Sequence, residues 1–191
     1  SGCTMDCSYC FLQNYLDTGC VVQFTNTDDM LSQIRPELLK KTAGGGPVRL
    51  GTGEYNDSLD LEHLTGFHRL LLDGLGDIPD LHIEIKTKTA AVDQVLDGFR
   101  GRRVVLAWSL NPENIRRTEE LGSATVEERL GAAKKAAAAG FRVAGSPTEI
   151  PIGGGNGGAP PGDGDVALPD AATTGDAGAV GVCGRAPEHR G

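Results

Sequence analysis

The stretch Cys3-Thr4-Met5-Asp6-Cys7-Ser8-Tyr9-Cys10-Phe11 places three thiols in one short loop, at spacings of four and three residues. Three thiolates this close can each bind one iron of a [4Fe–4S] cluster, and the fourth iron then has no protein ligand. Such an open iron can bind a small molecule and act on it, while the protein supplies orientation. We therefore expect the loop to hold a cluster and the rest of the chain to shape a pocket beside it.

A structural zinc site and three unrelated thiols are the alternative interpretations of this loop. Zinc requires a fourth Cys or His at a recurring spacing, and the nearest candidates, Cys20 and His63, form no paired motif. Disulfides also fit poorly, because the loop cysteines are close neighbours and the total of five cysteines is odd. A reducing compartment is therefore expected.

Length and composition set broad limits on the class of protein. A chain of 191 residues is long enough for one domain with a core. Because it begins with Ser1, we expect it to be part of a longer protein. No secretory segment and no apolar run of membrane-spanning length is found, so we expect a cytoplasmic protein with no membrane partner. The net charge of −8 argues weakly against a nucleic-acid surface.

Strand and helix patterns alternate along most of the chain. After a short helix at 11–16, β-branched and aromatic runs predict strands at 21–25, 48–50, 81–85, 104–108 and 141–144. Helices are predicted from a cap at 26–28 to just before Gly44, and at 60–72, 92–96 and 125–139. This rhythm indicates parallel βα units, which right-handed crossovers would curl into a barrel or partial barrel with its function at the strand C-termini.

The composition changes at residue 145, which divides the chain into a folded part, 1–144, and a tail, 145–191. The 47 residues of the tail hold 13 of the 28 glycines and 6 of the 10 prolines, and no aromatic residue. Such a segment cannot bury enough apolar surface to offset its ordering entropy. We predict a Gly/Pro/Ala-rich disordered tail or, because the change falls in mid-strand at Ala144, a frameshifted reading of the gene.

Polar loops follow the predicted strands, where ligands collect in parallel αβ folds. Gly51-Thr52-Gly53-Glu54 follows the strand at 48–50, and its glycines would let the backbone approach a ligand closely. A plain turn between strand and helix is the alternative. Asn56-Asp57-Ser58 is expected to cap the next helix, and His63, His68 and His82 are expected to make surface or core polar contacts.

Two further strands end in polar side chains. Lys86 and Lys88 close the strand at 81–85, and a lysine there could pair with a cofactor carboxylate. Ser109 and Asn111 close the strand at 104–108 and could hydrogen bond to the same cofactor, with turn chemistry ending at Pro112 as the alternative.

Taken in order, these segments resemble the spore photoproduct lyase family of radical SAM proteins over residues 1–144. The resemblance rests on the cysteine loop extended through Phe11-Leu12-Gln13, on Gly51-Thr52-Gly53-Glu54-Tyr55-Asn56-Asp57-Ser58-Leu59, on Leu61-Glu62-His63-Leu64-Thr65-Gly66, on Lys86-Thr87-Lys88 and on Ser109-Leu110-Asn111-Pro112. None of it extends into the tail.

The resemblance implies an α/β fold, a truncated partial parallel (βα) barrel of radical SAM type, with a [4Fe–4S] cluster and S-adenosyl-L-methionine (SAM) as cofactors. It also implies repair of DNA: a 5′-deoxyadenosyl radical takes a hydrogen from the methylene-bridged thymine dimer, the spore photoproduct. The bond between the bases then breaks, and a hydrogen returns to the product radical to give two thymines. The implied partners are DNA and a reductant such as flavodoxin or ferredoxin.

The resemblance also assigns residues to roles. Cys3, Cys7 and Cys10 match the cluster ligands, and Tyr9 matches the aromatic position beside bound SAM. The glycine-rich segment, which in this superfamily contacts the methionyl amino group of SAM, is matched by Gly51, Thr52, Gly53 and Glu54. Three polar positions of the SAM pocket are matched by Lys88, Ser109 and Asn111.

One departure from the family bears on the substrate. Characterised lyases carry a hydrogen-donating cysteine soon after the second strand, and the matching position here is Glu54, which is not a useful hydrogen-atom donor. Two alternatives follow: a radical SAM member with a different substrate, or an inactive fragment or metal-binding module. The family's first strand, later barrel strands and C-terminal DNA-binding part are expected to lie outside this chain.

Overall fold

A four-stranded parallel sheet forms the centre of the protein in this computed structural model, which describes residues 2–15, 20–100, 103–147 and 179–183. Its strands are β2 (Val48–Thr52), β3 (Leu81–Thr87), β4 (Val104–Leu110) and β5 (Arg142–Pro147), in the order β2-β3-β4-β5. Each predicted strand of this sheet is confirmed, and each extends further toward its C-terminus than predicted.

Helices precede and connect the strands of the parallel sheet. The longer ones are α2 (Thr27–Ala43), α4 (Phe67–Leu75) and α7 (Val126–Ala138), and the shorter ones are α1 (Leu12–Tyr15), α3 (Glu62–Thr65), α5 (Asp93–Phe99) and α6 (Glu113–Glu119). Strand order follows chain order, so successive βα units are laid down side by side. This is the arrangement of a partial parallel (βα) barrel, as the sequence predicted.

The predicted single helix at 60–72 is wrong in one respect, because the chain breaks at Gly66. This glycine has a left-handed backbone with φ of 57°, and its N–H donates to the Glu62 carbonyl. Glycine tolerates this conformation at little cost, so it ends α3 and α4 begins directly after it. The apolar spacing continues across the break, which is why the pattern alone predicted one helix.

The core lies between the helices and one face of the parallel sheet. Alternate residues of β3 and β4 point into it, including Ile83, Ile85, Leu106 and Trp108. Trp108 is 1% exposed, and its indole Nε1 donates to the Thr89 carbonyl at 3.0 Å. Because side chains alternate along a strand, His82, Glu84 and Lys86 of β3 lie on the opposite face of the sheet.

A second, two-stranded sheet pairs β1 (Cys20–Phe24) antiparallel with β6 (Ala179–Cys183). The predicted domain boundary at 144/145 falls inside β5. Most of the predicted tail lies outside the described residues, and its described parts, 145–147 and β6, are strand. No helix within the described ranges has both the length and the apolar character needed to cross a bilayer.

Candidate active site

The cysteine loop, residues 3–10, is attached to the sheet by backbone hydrogen bonds to the segment after α6. Ser8 N–H donates to the Glu119 carbonyl at 2.9 Å, and Gly122 N–H donates to the Met5 carbonyl at 2.9 Å. An isolated β-bridge joins Cys7 to Glu120. Because segment 119–122 continues from β4 through α6, the loop is held at the C-terminal edge of the parallel sheet.

Two close contacts fix where the loop sits. A Cβ on Gly122 would lie 2.5 Å from the Thr4 carbonyl oxygen and 2.9 Å from Met5 backbone atoms, so the two backbones approach as only glycine permits. On the other side, the Thr4 N–H and hydroxyl both donate to the Asp60 carboxylate, at 3.0 and 2.7 Å. The loop therefore contacts Gly122, which follows α6, and Asp60, which follows β2.

The three thiols line one pocket of about 130 Å³. Loops that follow three different strands complete its wall, because Gly53 and Glu54 come after β2, Lys88 after β3, and Ser109 lies near the end of β4. Most of the residues singled out from the sequence therefore meet in this pocket: Cys3, Cys7, Tyr9, Cys10, Gly53, Glu54, Lys86, Lys88 and Ser109.

Gly53 is required at its position for two reasons. Its φ is 92°, a left-handed conformation that side chains rarely adopt, and an added Cβ would lie 2.6 Å from Ser58 Oγ and 3.1 Å from the Lys86 carbonyl. The turn after β2 can therefore pass close to β3 only with glycine there. Glu54, the next residue, is exposed at the pocket.

Three of the predicted residues, Gly51, Thr52 and Asn111, lie outside the pocket wall. Gly51 is inside β2, and Thr52, 6% exposed, has its hydroxyl in a buried network. Thr52 Oγ1 donates to the Glu84 carbonyl at 3.0 Å and lies 3.0 Å from His68 Nε2, whose Nδ1 lies 2.9 Å from Glu62. These hydrogen bonds hold the end of β2 in place directly before the turn at Gly53.

Asn111 is buried at the end of β4 and does not line the pocket. Its side-chain amide donates to Glu120 Oε1 at 2.7 Å, and the Tyr9 hydroxyl donates to the same oxygen at 2.5 Å. Lys88 Nζ lies 4.0 Å from Glu120 Oε1 and 5.9 Å from the centre of the Tyr9 ring. One carboxylate oxygen thus organises three residues that the sequence assigned to the cofactor pocket.

Glu120 and its partner Arg129 are residues that the sequence reasoning missed. Both side chains are fully buried, with Arg129 Nη2 2.7 Å from Glu120 Oε2 and a second donor of Arg129 2.8 Å from the Ser109 carbonyl. Arg129 shares the buried stripe of α7 with Ala132 and Ala136. The available signal was that Arg129 lies three and seven residues before Ala132 and Ala136, on the apolar face of the helix, which indicates a buried charge.

Asp57 was expected only to cap a helix, but it does more. Its Oδ1 accepts from the Leu59 N–H at 3.0 Å and from the Thr87 hydroxyl at 2.7 Å, and its Oδ2 accepts from the Lys88 N–H at 2.5 Å. Burial raises the pKa of this carboxyl, although these hydrogen bonds oppose the shift. Asp57 therefore joins the loop after β2 to the loop after β3.

Burial also governs the ionisation of the loop. It raises the pKa of the Cys3 thiol to about 12 and raises that of Cys7, with Lys88 opposing the shift at Cys7. It raises the pKa of Glu120 as well, but the hydrogen bonds from Tyr9 and Arg129 outweigh it and leave that pKa below its usual value. Metal binding by these thiols would therefore release protons.

The three loop cysteines are free thiols, as expected, but Cys20 of β1 is disulfide-bonded, so the expectation that disulfides fit poorly is wrong at that residue. Within the ranges that the structure describes, no three or more His, Cys, Asp or Glu side chains converge on a single metal ion. Each cysteine ligand of a [4Fe–4S] cluster binds a different iron, so such ligands surround a cluster without converging on one ion. Three free thiols on one pocket wall fit that donor set better than a four-ligand zinc site.

Comparison with known proteins agrees with this geometry. The family model described as spore photoproduct lyase matches residues 1–146. Spore photoproduct lyase of Geobacillus sp. (strain Y412MC61) is 25% identical over 144 residues, and that of Bacillus subtilis (strain 168) is 24% identical over 142 residues. The aligned part is 75% and 74% of this chain but 42% and 41% of those proteins.

Solved structures of spore photoproduct lyase variants are also similar. A cysteine-to-alanine variant with dinucleoside spore photoproduct has a TM-score of 0.67 and 25% identity, and a tyrosine-to-phenylalanine variant has a TM-score of 0.65 and 25% identity. Each match covers 76% of this chain and 42% of the other chain. Since the family match takes in well over half of its residues, this chain belongs to the spore photoproduct lyase family.

Proposed function

We propose that this chain is the cluster-binding and SAM-binding part of a radical SAM enzyme that splits the spore photoproduct in DNA back to two thymines. The observation that carries the proposal is the pocket at the C-terminal edge of the sheet, where three free thiols meet the loops after β2, β3 and β4. The chain spans less than half the length of the curated relatives that it matches, so the activity of the whole protein is inferred from the family.

Cys3, Cys7 and Cys10 are the proposed ligands of a [4Fe–4S] cluster. When bound, that cluster supplies an open iron for SAM and the electron that cleaves SAM to the 5′-deoxyadenosyl radical. The protein's own contribution is position: hydrogen bonds from Gly122 and Ser8 hold the loop against segment 119–122. Cys7 is buried and Cys3 is half-buried, which limits the access of bulk water to these two ligands.

The pocket wall beside the thiols is the proposed SAM site. Gly53 keeps backbone groups close to the pocket, so the turn can offer hydrogen bonds to the methionyl end of SAM, with Gly51, Thr52 and Glu54 completing that segment. Lys88, with 18% of its side chain exposed, is the proposed partner of the carboxylate. Ser109 supplies a hydroxyl on the β4 side.

Tyr9 and Asn111 have a supporting part in this proposal. Both donate to Glu120 Oε1, so the Tyr9 ring is fixed at the pocket wall, with Lys88 Nζ 5.9 Å from the ring centre. A ring held in one orientation can pack against a bound cofactor without losing further side-chain freedom. Asn111 thus acts through Tyr9 and Glu120.

DNA containing the lesion and an external one-electron donor, such as flavodoxin or ferredoxin, are the proposed partners. Support for the substrate comes from a relative whose solved structure holds dinucleoside spore photoproduct. The donor is required by chemistry, because reductive cleavage of SAM consumes an electron that the polypeptide does not supply.

Product analysis tests the activity. The reconstituted chain is incubated anaerobically with SAM, dithionite and dinucleoside spore photoproduct, and 5′-deoxyadenosine and thymidine products are separated by chromatography. The proposal predicts both products in the wild type and neither in Cys7→Ala, whereas Cys20→Ala, which removes a disulfide-bonded cysteine outside the pocket, should retain activity. Formation of 5′-deoxyadenosine without thymidine would contradict the proposed substrate but would still support radical SAM chemistry.

A second candidate function is radical SAM chemistry on a different substrate. The observation that favours it is Glu54, which stands exposed at the pocket where the family places its hydrogen-donating cysteine. Glu54→Cys separates the two candidates. Repair that rises in this variant would favour the lesion as substrate, whereas SAM cleavage with no repair in either form would favour another substrate.

A further inference from the structure

A second cavity, of about 230 Å³, lies at the opposite edge of the parallel sheet. Its wall includes His82 at the start of β3, Arg142 at the start of β5, and Arg100 and Arg103 from the segment before β4. On β3, His82 and Lys86 are four residues apart, which separates the two pockets by about 13 Å at roughly 3.3 Å per residue. The cavity is therefore distinct from the candidate active site.

The charge of this cavity is one-sided. Three arginines line it and no Asp or Glu does, within the described part of a chain whose net charge is −8. Arg103 is held in place, since its Nη1 donates to the Ile78 carbonyl at 2.7 Å. The carboxylate near Arg100 is that of Asp97, 3.9 Å away and 93% exposed, so solvent screens this pair.

The side chain of His82 gives independent evidence that the cavity binds a ligand. Its Nδ1 is the buried side-chain nitrogen or oxygen that lacks a hydrogen-bond partner among the residues described. Buried polar atoms in folded proteins are nearly always hydrogen-bonded, so an orphaned one calls for a missing partner. His82 also lines the cavity, so rotation of its imidazole ring would let a group bound there supply that partner.

We propose that this cavity binds a phosphate group, either of a small phosphorylated molecule or of a nucleic-acid backbone. Guanidinium groups bind phosphate oxygens through paired N–H donors, and a phosphate oxygen could also accept from His82 Nδ1–H. One water occupies about 30 Å³ in the liquid, so the cavity has room for a tetrahedral anion in place of several waters. The proposal does not depend on the cofactor chemistry of the other pocket.

Calorimetric titration of the full chain without a cluster tests this inference. Inorganic phosphate and a short single-stranded oligonucleotide are the probes, with chloride at matched ionic strength as the reference. We expect one phosphate per chain in the wild type, at least tenfold weaker binding in Arg142→Gln, and weaker binding in His82→Phe. Arg117→Gln, which removes the same charge from an exposed position on α6, should bind as the wild type does.

The outcomes are distinguishable. Tighter binding of the oligonucleotide than of phosphate, with the same loss in Arg142→Gln, would identify a backbone phosphodiester, and the reverse order would identify a small phosphorylated molecule. Absence of phosphate binding, or an equal loss in Arg117→Gln, would overturn the proposal. Arg142 is exposed, so its substitution tests binding even if His82→Phe fails to fold.

Discussion

Glu120 and Arg129 form an ion pair in which both side chains are fully buried, with Glu120 Oε2 2.7 Å from Arg129 Nη2. The other oxygen of Glu120 accepts hydrogen bonds from Tyr9 and Asn111. The pair therefore links helix α7, the end of β4 and the cysteine loop through one carboxylate. Removing either charge would leave the other buried without compensation.

Loss of the Glu120 carboxylate is expected to destabilise the fold strongly. Glu120→Ala leaves the Arg129 guanidinium unpaired in the interior, which costs about 3–5 kcal/mol in the free energy of unfolding. Urea denaturation followed by circular dichroism measures this. Glu127→Ala, at an exposed position near the start of α7, the helix that carries Arg129, should change the free energy of unfolding by less than about 0.5 kcal/mol. Similar costs for the two variants would contradict the assigned role of the pair.

Gly122 should tolerate no side chain. In Gly122→Ala the new Cβ meets the Thr4 carbonyl oxygen at 2.5 Å, so the cysteine loop must move away. The expected cost is about 1–3 kcal/mol of stability, together with lower iron content after reconstitution. Gly131→Ala is the matched control, because nothing lies within 4 Å of that Cβ inside α7 and alanine should stabilise the helix by about 0.5–1 kcal/mol. Unchanged iron content in Gly122→Ala would count against this attachment.

Gly53, in the turn after β2, should not accept alanine without a loss of cofactor binding. Gly53→Ala meets Ser58 Oγ at 2.6 Å and has a φ of 92°, so the turn must rearrange and SAM affinity should fall at least about tenfold, or about 1.4 kcal/mol. Gly98→Ala, in α5 and outside the pocket, has open space around its Cβ and should bind SAM as the wild type does. Equilibrium binding of SAM to the reconstituted protein compares them, and equal affinities would reject the proposed part of Gly53.

Lys88 should contribute to cofactor binding through its charge. Lys88→Met keeps the aliphatic stem but removes the ammonium beside the pocket, and loss of a hydrogen bond to a charged group costs about 1.5–3 kcal/mol. SAM affinity should therefore fall by about tenfold or more, with little change in iron content. Lys134→Met removes a charge from an exposed position on α7 and should leave SAM affinity unaltered. A SAM affinity in Lys88→Met equal to that of the wild type would exclude the carboxylate contact.

The alternation of strands and helices could be predicted because each strand carries its own apolar run and each long helix its own buried stripe. The turn residues that line the pocket could also be located, since they directly follow β2, β3 and β4. The break at Gly66 could not, because Phe67 and Leu71 continue the apolar spacing of the preceding turn. Helix α6 left no periodic signal, since no residue within it is buried.

The supporting residues of the site could not be predicted from local patterns. Glu120 accepts a hydrogen bond from Tyr9, 111 positions away in sequence, and Asp57 accepts one from Thr87, 30 positions away. Such partners are brought together by the sheet edge, and nothing in the sequence near either carboxylate indicates the contact. The sequence therefore located the pocket-lining loops but not the buried groups that hold them.

Electron paramagnetic resonance of the anaerobically reconstituted and reduced protein, with and without SAM, tests the central claim most directly. We expect a reduced [4Fe–4S] signal that changes when SAM is added, that is lost in Cys7→Ala and that persists in Cys20→Ala. Absence of a cluster signal, or a signal that SAM leaves unchanged, would contradict the assignment of this pocket as a radical SAM site.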